Sequence, residues 1–339
     1  MNENIIIARR VSRVFFPLDE QLAVTRSVYS ERLARDIVWL SGKLPYADCE
    51  AVLARIGRYH VAASSCWRQT QRHGSRLQTY VDHHVHFSQP EQMPETEFDQ
   101  THAQPKGISM DGGMVNTREA GWKELKVGAV FDIETDFEVH PMTGYLTKMA
   151  HGVNVHYTAV LGSKTEFEPA LWHLACQHHV HTTSRQGIVA DGATWIWNIA
   201  DYLFPQAYQL VDWYHATAHL AQTAHQLHPT DETARQTWYT AMRHHLFTGA
   251  SALIQTALAD TPAASHAHYF ATHAARLNYE QARLAGWPLG SGTVESGIKQ
   301  FKQRFCGSGM RWNIANVQPM ATIRGAVLSN TFDALWNVA

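Results

Sequence analysis

Three acids in this sequence keep company that suits metal chemistry. Asp111 follows Ile108-Ser109-Met110 and precedes Gly112 and Gly113. Asp191 closes Gly187-Ile188-Val189-Ala190 and precedes Gly192. In both, a short apolar strand would carry an acid to its end, where glycine lets the chain turn tightly. Glu295 lies within Gly290-Ser291-Gly292-Thr293-Val294-Glu295. There the glycines make a turn, Ser291 or Thr293 can cap a helix, and Glu295 falls in its first turn. Magnesium takes hard oxygen ligands and keeps several waters. Two such ions about 4 Å apart activate an attacking oxygen and stabilise a leaving one in phosphoryl transfer. Asp111 and Asp191 from neighbouring strands, with Glu295 from a helix across them, form a ligand set for two Mg2+ (or Mn2+) ions. Lys299 and Lys302 follow Glu295 by one and two helical turns on the same side, suited to holding DNA phosphates. Singly, each acid has a plainer explanation. An acid before glycine often bonds its own turn, and an acid in a first helical turn complements the helix dipole.

Other residue types offer weaker chemistry. His83, His84 and His86 cluster, as do His178, His179 and His181, while His215 and His219 would share one helix face. Such spacing can bind zinc. The chain has 22 histidines, however, so chance pairs are expected. Trp195, Trp197, Trp213 and Trp287 are candidates to stack on flipped bases, with core packing as the ordinary alternative.

The elements that must position these groups can be read from periodicity. Helical spacing predicts helices over Ser30–Leu40 and Tyr46–Ile56, the latter ended by Gly57, and a third from Ser64 or Ser65 to Gly74. That third helix would expose Arg68, Arg72 and Arg76, the loose outline of a helix-turn-helix. Residues 81–106 are polar and punctuated by proline, as a linker is. Strands follow at Ile108–Asp111, around Leu125–Phe131 and around Val153–Leu161, then a helix from Glu166 to about His178. A fourth strand at Gly187–Asp191, a helix through Trp195 and Ile199, and a fifth strand at Tyr208–Asp212 come next. Helical pattern alone runs from Ala216 to Ala285, broken at Pro229 and Pro262, and a last helix begins near Glu295. This order predicts an α/β fold, a mixed sheet with helices packed on it, of ribonuclease-H-like type.

Bulk properties set bounds. With 339 residues, 45% hydrophobic and 17% charged, the chain can bury a sizeable core. No apolar run is long enough to span a bilayer, and the four cysteines, Cys49, Cys66, Cys176 and Cys306, read as free thiols of a reducing compartment. A cytoplasmic location with no membrane partner is expected. The net charge of -2 does not favour nucleic acid. Its distribution does: five arginines and no acid lie between Arg55 and Arg76, and Lys299, Lys302, Arg304, Arg311 and Arg324 face only Asp333 after Ser296. Arg68, Arg72, Arg76, Lys299, Lys302 and Arg304 are accordingly the candidate DNA contacts.

Ser109-Met-Asp111-Gly-Gly, Val189-Ala-Asp191-Gly-Ala and Pro288-Leu-Gly-Ser-Gly-Thr-Val-Glu295-Ser together resemble the three acidic motifs of bacterial insertion-sequence transposases. The match is to the ISKra-four family, related to the Mutator group. Gly309-Met-Arg-Trp312, Asp333-Ala-Leu-Trp336, Phe16-Pro-Leu-Asp-Glu-Gln-Leu22 and Leu44-Pro-Tyr-Ala-Asp-Cys-Glu-Ala-Val-Leu53 are also similar to it. The resemblance implies a ribonuclease-H-like catalytic domain (107–215 and 286–339) interrupted by a helical insertion (216–285). Before it would come a helical DNA-binding domain (1–80) and the linker. It implies that Asp111, Asp191 and Glu295 are catalytic metal ligands. Asp212-Trp-Tyr-His215 resembles the family's short Cys/Asp-x-x-His motif, which makes Asp212 and His215 supporting residues. The implied reaction is strand cleavage at transposon ends, then attack of the freed 3′-hydroxyl on target DNA. The implied partners are DNA and further copies of the chain, because two ends must be paired, and the implied location is the bacterial nucleoid. A transposase-derived protein that binds DNA without cutting and a histidine-based metal hydrolase are the alternatives.

Overall fold

A computed structural model of the chain describes residues 29–87, 104–139, 144–259, 261 and 263–339. The Phe16–Leu22 stretch, Pro90 and Pro94 of the expected linker, Pro262 and the His86 side chain lie outside the described residues. In chain order the helices and strands are α1 (Glu31–Lys43), α2 (Tyr46–Val52, continued by a π turn, Leu53–Gly57) and α3 (Ala63–Phe87), then β1 (Lys106–Thr117), β2 (Gly121–Val139) and β3 (Leu146–Leu161). They continue with α4 (Lys164–Gln177), β4 (Gln186–Ala190), α5 (Thr194–Leu203) and β5 (Tyr208–Val211). Five helices follow: α6 (Trp213–Leu227), α7 (Glu232–Phe247), α8 (Ser251–Leu258), α9 (Ala264–Thr272) and α10 (Tyr279–Ala285). The chain then forms α11 (Gly292–Phe305), α12 (Ile314–Leu328) and α13 (Phe332–Val338).

The fold is α/β, with one mixed five-stranded sheet ordered β3-β2-β1-β4-β5. The first three strands form an antiparallel meander, and β4 and β5 add in parallel on the far side of β1. The pleat sends Asp111, Gly113 and Val127 to one face, and Met110 and Gly128 to the other. Helix α4 covers the second face: Phe167 and Leu171 crowd Gly128. Helix α11 covers the first, with Ile298 over Gly113 and the Gly297 backbone against the Tyr157 ring. Both layers join one continuous core running through Ile108, Val127, Phe167, Ile188, Leu210 and Phe301.

Three expectations are corrected. First, β1 does not stop at Asp111. Its pairing with β2 continues through Gly112↔Lys126 and Gly113↔Leu125 to the turn at Gly121, so Asp111 sits within a strand. Secondly, α3 runs through Gly74 to Phe87, which removes residues 81–87 from the expected linker. Gly74 is a point of close approach rather than a stop: a Cβ there would lie 3.1 Å from Ile323 and 3.2 Å from Pro319 of α12. Thirdly, the Glu295 helix is not the last. Helices α12 and α13 follow it, and their Ile323, Ala326, Val327, Phe332 and Trp336 share a core with Ala34, Val38 and Leu77 of α1 and α3. The expected amino-terminal unit thus packs directly on the carboxy-terminal helices. No helix among the described residues is long and apolar enough to cross a membrane.

Candidate active site

Strand register builds the site. β1 and β4 run parallel with Ile108 opposite Ile188, and Ser109 Oγ donates to the Val189 carbonyl at 2.6 Å. Continued along both strands, that register sets Asp111 level with Asp191. β4 and β5 run parallel with Ala190 opposite Val211, and the Asp212 amide donates to the Ala190 carbonyl at 2.7 Å. Asp191 and Asp212 therefore follow their strands at the same level. Three adjacent parallel strands thus bring three aspartates to one level of the sheet, Asp111 within β1 and Asp191 and Asp212 just past β4 and β5.

Each carboxylate is held by its local backbone. Asp111 Oδ1 accepts the Gly112 amide at 2.6 Å, and Asp191 Oδ1 accepts the Ala193 amide at 2.8 Å, in the turn that opens α5. Glu295 occupies the first turn of α11, where its Oε1 accepts Ser291 Oγ at 3.2 Å. Asp111, Asp191 and Glu295 are all half-buried. Asp212 is different, being 0% exposed. Its Oδ1 caps α6 by accepting the His215 amide at 2.8 Å. Its Oδ2 accepts both the Ser291 amide and Ser291 Oγ, the latter at 2.9 Å. Asp212 thereby ties the end of β5 to the turn that carries Glu295. The Trp213 amide, donating to the Leu289 carbonyl at 2.9 Å, makes a second tie between the same two segments. Tyr279 of α10 donates its hydroxyl to the Val211 carbonyl at 3.0 Å, anchoring the helices after α6 to the last residue of β5.

Burial pushes the Asp111 carboxyl up to about 6. The Gly112 amide opposes that rise, the charges of Asp191 and Glu295 add to it, and His215 lessens it. Asp191, Glu295 and His215 are therefore near enough to act on Asp111. Among the described residues, Asp212, His215 and Glu295 bring one ligand atom each within 4.8 Å of the others. His215 was placed by the sequence only as a supporting residue, and here it joins the carboxylates. His219, one turn on, packs beside that cluster: its Nδ1 lies 3.3 Å from His266 Nδ1 and its ring stacks on Tyr269 at 3.8 Å.

The candidate DNA contacts divide. Lys299 and Lys302 are exposed on α11, and Lys302 Cε lies 3.4 Å from where a Cβ on Gly113 would be, on the Asp111 face of the sheet. Arg68 and Arg72 are exposed on α3. Arg76 turns inward, donating to the Trp336 carbonyl at 3.4 Å, pairing with Glu31 at 3.7 Å and lying over the Trp336 ring. Arg304 is the clear correction. It is 1% exposed, donates to the Ser41 carbonyl at 2.6 Å and is flanked by the Tyr46 and Trp312 rings, so it cannot reach a DNA phosphate.

The tryptophans are corrected too. Trp197, Trp213 and Trp287 are buried in the core, and the half-buried Trp195 packs against it, edge-on to Phe167 under Lys126. Two residues of the site had only faint sequence signals. Ser291 was a possible cap, yet it uses its hydroxyl on Asp212 and Glu295. Tyr214, between Asp212 and His215, had no signal beyond its place in that short motif.

No protein-family model matches this chain, and no curated protein matches it.

Proposed function

We propose that this chain is a DNA transposase of an insertion sequence, acting on phosphodiesters with Asp111, Asp191 and Glu295 as its metal-binding triad. One observation carries this reading: adjacent parallel strands bring Asp111 and Asp191 to the same level, and α11 adds Glu295, close enough that both raise the proton affinity of Asp111. The element order, three strands followed by helix, strand, helix and strand, supports a ribonuclease-H-like sheet, with α6 to α10 as its helical insertion.

The donor set suits Mg2+ or Mn2+. Three carboxylates offer hard oxygens, and the proton affinity of Asp111, raised first by burial and further by Asp191 and Glu295, is a burden a divalent cation relieves. Bound there, such ions supply a nucleophile at neutral pH and stabilise the leaving oxygen. The chain's own residues do the rest. Asp111, Asp191 and Glu295 hold the ions. Asp212 and Ser291 fix the turn that aims Glu295. His215 stands within 4.8 Å of Asp212 and Glu295. Lys302 stands on the same face to meet a phosphate. DNA, a second copy of the chain and no membrane are the partners this activity calls for.

A second reading has one observation in its favour. Asp212, His215 and Glu295 form a mixed imidazole and carboxylate group of the sort transition metals accept, as a histidine-based hydrolase would use. Against it, both Asp212 oxygens already accept hydrogen bonds from His215 and Ser291.

The test is cleavage of DNA carrying the sequences that flank the gene, with Mg2+ or Mn2+, by wild type, Asp111→Asn and Glu295→Gln. Cutting by wild type and none by either variant is expected. If both variants still cut, the triad is wrong. If activity follows zinc content and ignores these substitutions, the second reading replaces the first.

A further inference from the structure

A strand that reacts at the end of a sheet must be held on both sides of the reacting phosphate. On the β1 side, Lys302 lies over Gly113 and offers a cation. On the β5 side, no cation is placed among the site residues, but there is an aromatic ring. Tyr214 is 68% exposed, although it sits in the first turn of α6 between the buried Asp212 and the half-buried His215. A tyrosine left open to water next to a carboxylate cluster gains nothing for the core.

The ring is also backed. A Cβ on Gly290 would lie 3.1 Å from Tyr214 Cε2 and 3.5 Å from Asp212 Oδ2. The bare glycine lets the ring edge lie close against the turn that carries Ser291 and Glu295. A side chain there would crowd both the ring and Asp212. Among the described residues, the other exposed aromatics lie elsewhere. Trp39, Tyr59 and Trp67 belong to the amino-terminal helical segment, Trp122, Phe137 and Tyr145 to strand ends, and Tyr202 to the end of α5. Of the tryptophans that the sequence offered for base contact, Trp197, Trp213 and Trp287 are in the core and Trp195 is half-buried against it.

We infer that Tyr214 is a stacking platform for a nucleobase of the strand held at this site, an inference that rests on the proposal that the site acts on DNA. Lys302 takes a backbone phosphate at the β1 end, the carboxylates lie between, and a base rests on Tyr214 at the β5 end. A base can meet the ring face to face only when it has left the duplex stack. The substrate is therefore a strand unpaired or distorted at the nucleotide beside the cut, and the site favours a mismatch there over a perfect pair. Stacking tolerates any base, so Tyr214 adds grip without reading sequence.

The test uses the full chain and a single-stranded oligonucleotide with one 2-aminopurine, scanned along its length, in Ca2+ to permit binding. Wild type is expected to quench 2-aminopurine at one position. Tyr214→Ala should lose that quenching and bind roughly ten- to a hundred-fold more weakly, while Tyr214→Phe and Tyr214→Trp keep both. In cleavage of flanking-sequence DNA with Mg2+, Tyr214→Ala should raise KM more than it lowers kcat, and a mismatch at the quenched position should recover part of the loss. If wild type binds and cuts while Tyr214→Ala matches it in quenching and KM, the stacking inference is overturned and the proposed site stands. If wild type neither binds nor cuts DNA, the proposed function falls and this inference with it. Circular dichroism of Tyr214→Ala should match wild type, as befits an exposed side chain. A folded variant that retains quenching counts against the inference.

Discussion

Replacing Asp111 by asparagine should make the metal-free protein more stable, although it destroys the proposed site. Burial and the nearby charges of Asp191 and Glu295 lift the Asp111 carboxyl from the ordinary 3.8 to about 6. The folded state therefore holds the proton more tightly than the unfolded chain does. The stability that comes with this proton is complete below the unfolded value, near 4, and is lost as pH rises through about 6. Above that, the folded protein carries an ionised group that it holds less well than water does. At one tenfold step in affinity per 1.36 kcal/mol, the rise amounts to about 3 kcal/mol. Asp111 is only half-buried, and solvent screening brings this to roughly 1–2 kcal/mol. Asparagine keeps an oxygen to accept the Gly112 amide and removes the charge. At pH 8 without metal, Asp111→Asn should melt about 2–4 °C above wild type, and the gap should close by pH 5. Mg2+ or Mn2+ should then raise the melting point of wild type and leave the variant unmoved. Differential scanning fluorimetry across pH and metal concentration measures all three. A variant less stable than wild type at pH 8, or a gap that ignores pH, refutes the picture of crowded carboxylates. Equal stabilisation of both proteins by metal removes Asp111 from the ligand set.

Asp212→Ala should lose the α6 cap and two bonds from Ser291, about 2–4 kcal/mol in urea unfolding. Asp212→Asn should stay folded but lose most cleavage, because its amide must face either the His215 or the Ser291 donors; wild-type activity in this variant would remove Asp212 from the positioning of Glu295. Arg304→Ala should be destabilised by about 3–5 kcal/mol through the unpaired Ser41 carbonyl and the space left between two rings, and Arg304→Met by less. Arg304→Met should keep the salt dependence of DNA binding, whereas Lys302→Ala should lower its slope by about 1. Equal slopes for wild type and Lys302→Ala would take Lys302 off the phosphate path.

Much of the sheet was legible because strands and helices announce themselves by period. Val127 and Ala129, or Ile188 and Val189, are apolar because sheet layers cover them, and that pattern is local. What escaped was decided between distant segments. Gly74 reads as a helix stop, since isolated glycine disfavours helix. It persists because Pro319 and Ile323, far along the chain, press where a side chain would be. Arg304 reads as a surface cation next to Lys302. It falls between Phe301 and Phe305 on the buried stripe of α11, and the carbonyl of Ser41, 263 residues away, with the Tyr46 and Trp312 rings, makes its burial tolerable. Charge type predicts exposure only while no remote acceptor intervenes.

The same distinction explains why Asp212 was harder to place than Asp111 or Asp191. All three stand at one level on adjacent parallel strands, and a sequence gives no register between strands. What separates them is what their oxygens already hold. Asp111 and Asp191 each accept one amide from a residue one or two positions on, and both stay in reach of water. Asp212 accepts three donors, two of them from Ser291 across the site, and is shut away from solvent. A carboxylate so occupied binds the protein to itself. Its bonds to Ser291 set where Glu295 begins its helix. On the proposed reading, Asp212 thereby positions Glu295 of the triad instead of serving as one of its metal ligands. If the proposed function holds, loss of its charge should disturb the cut even where the three proposed metal-binding acids remain intact.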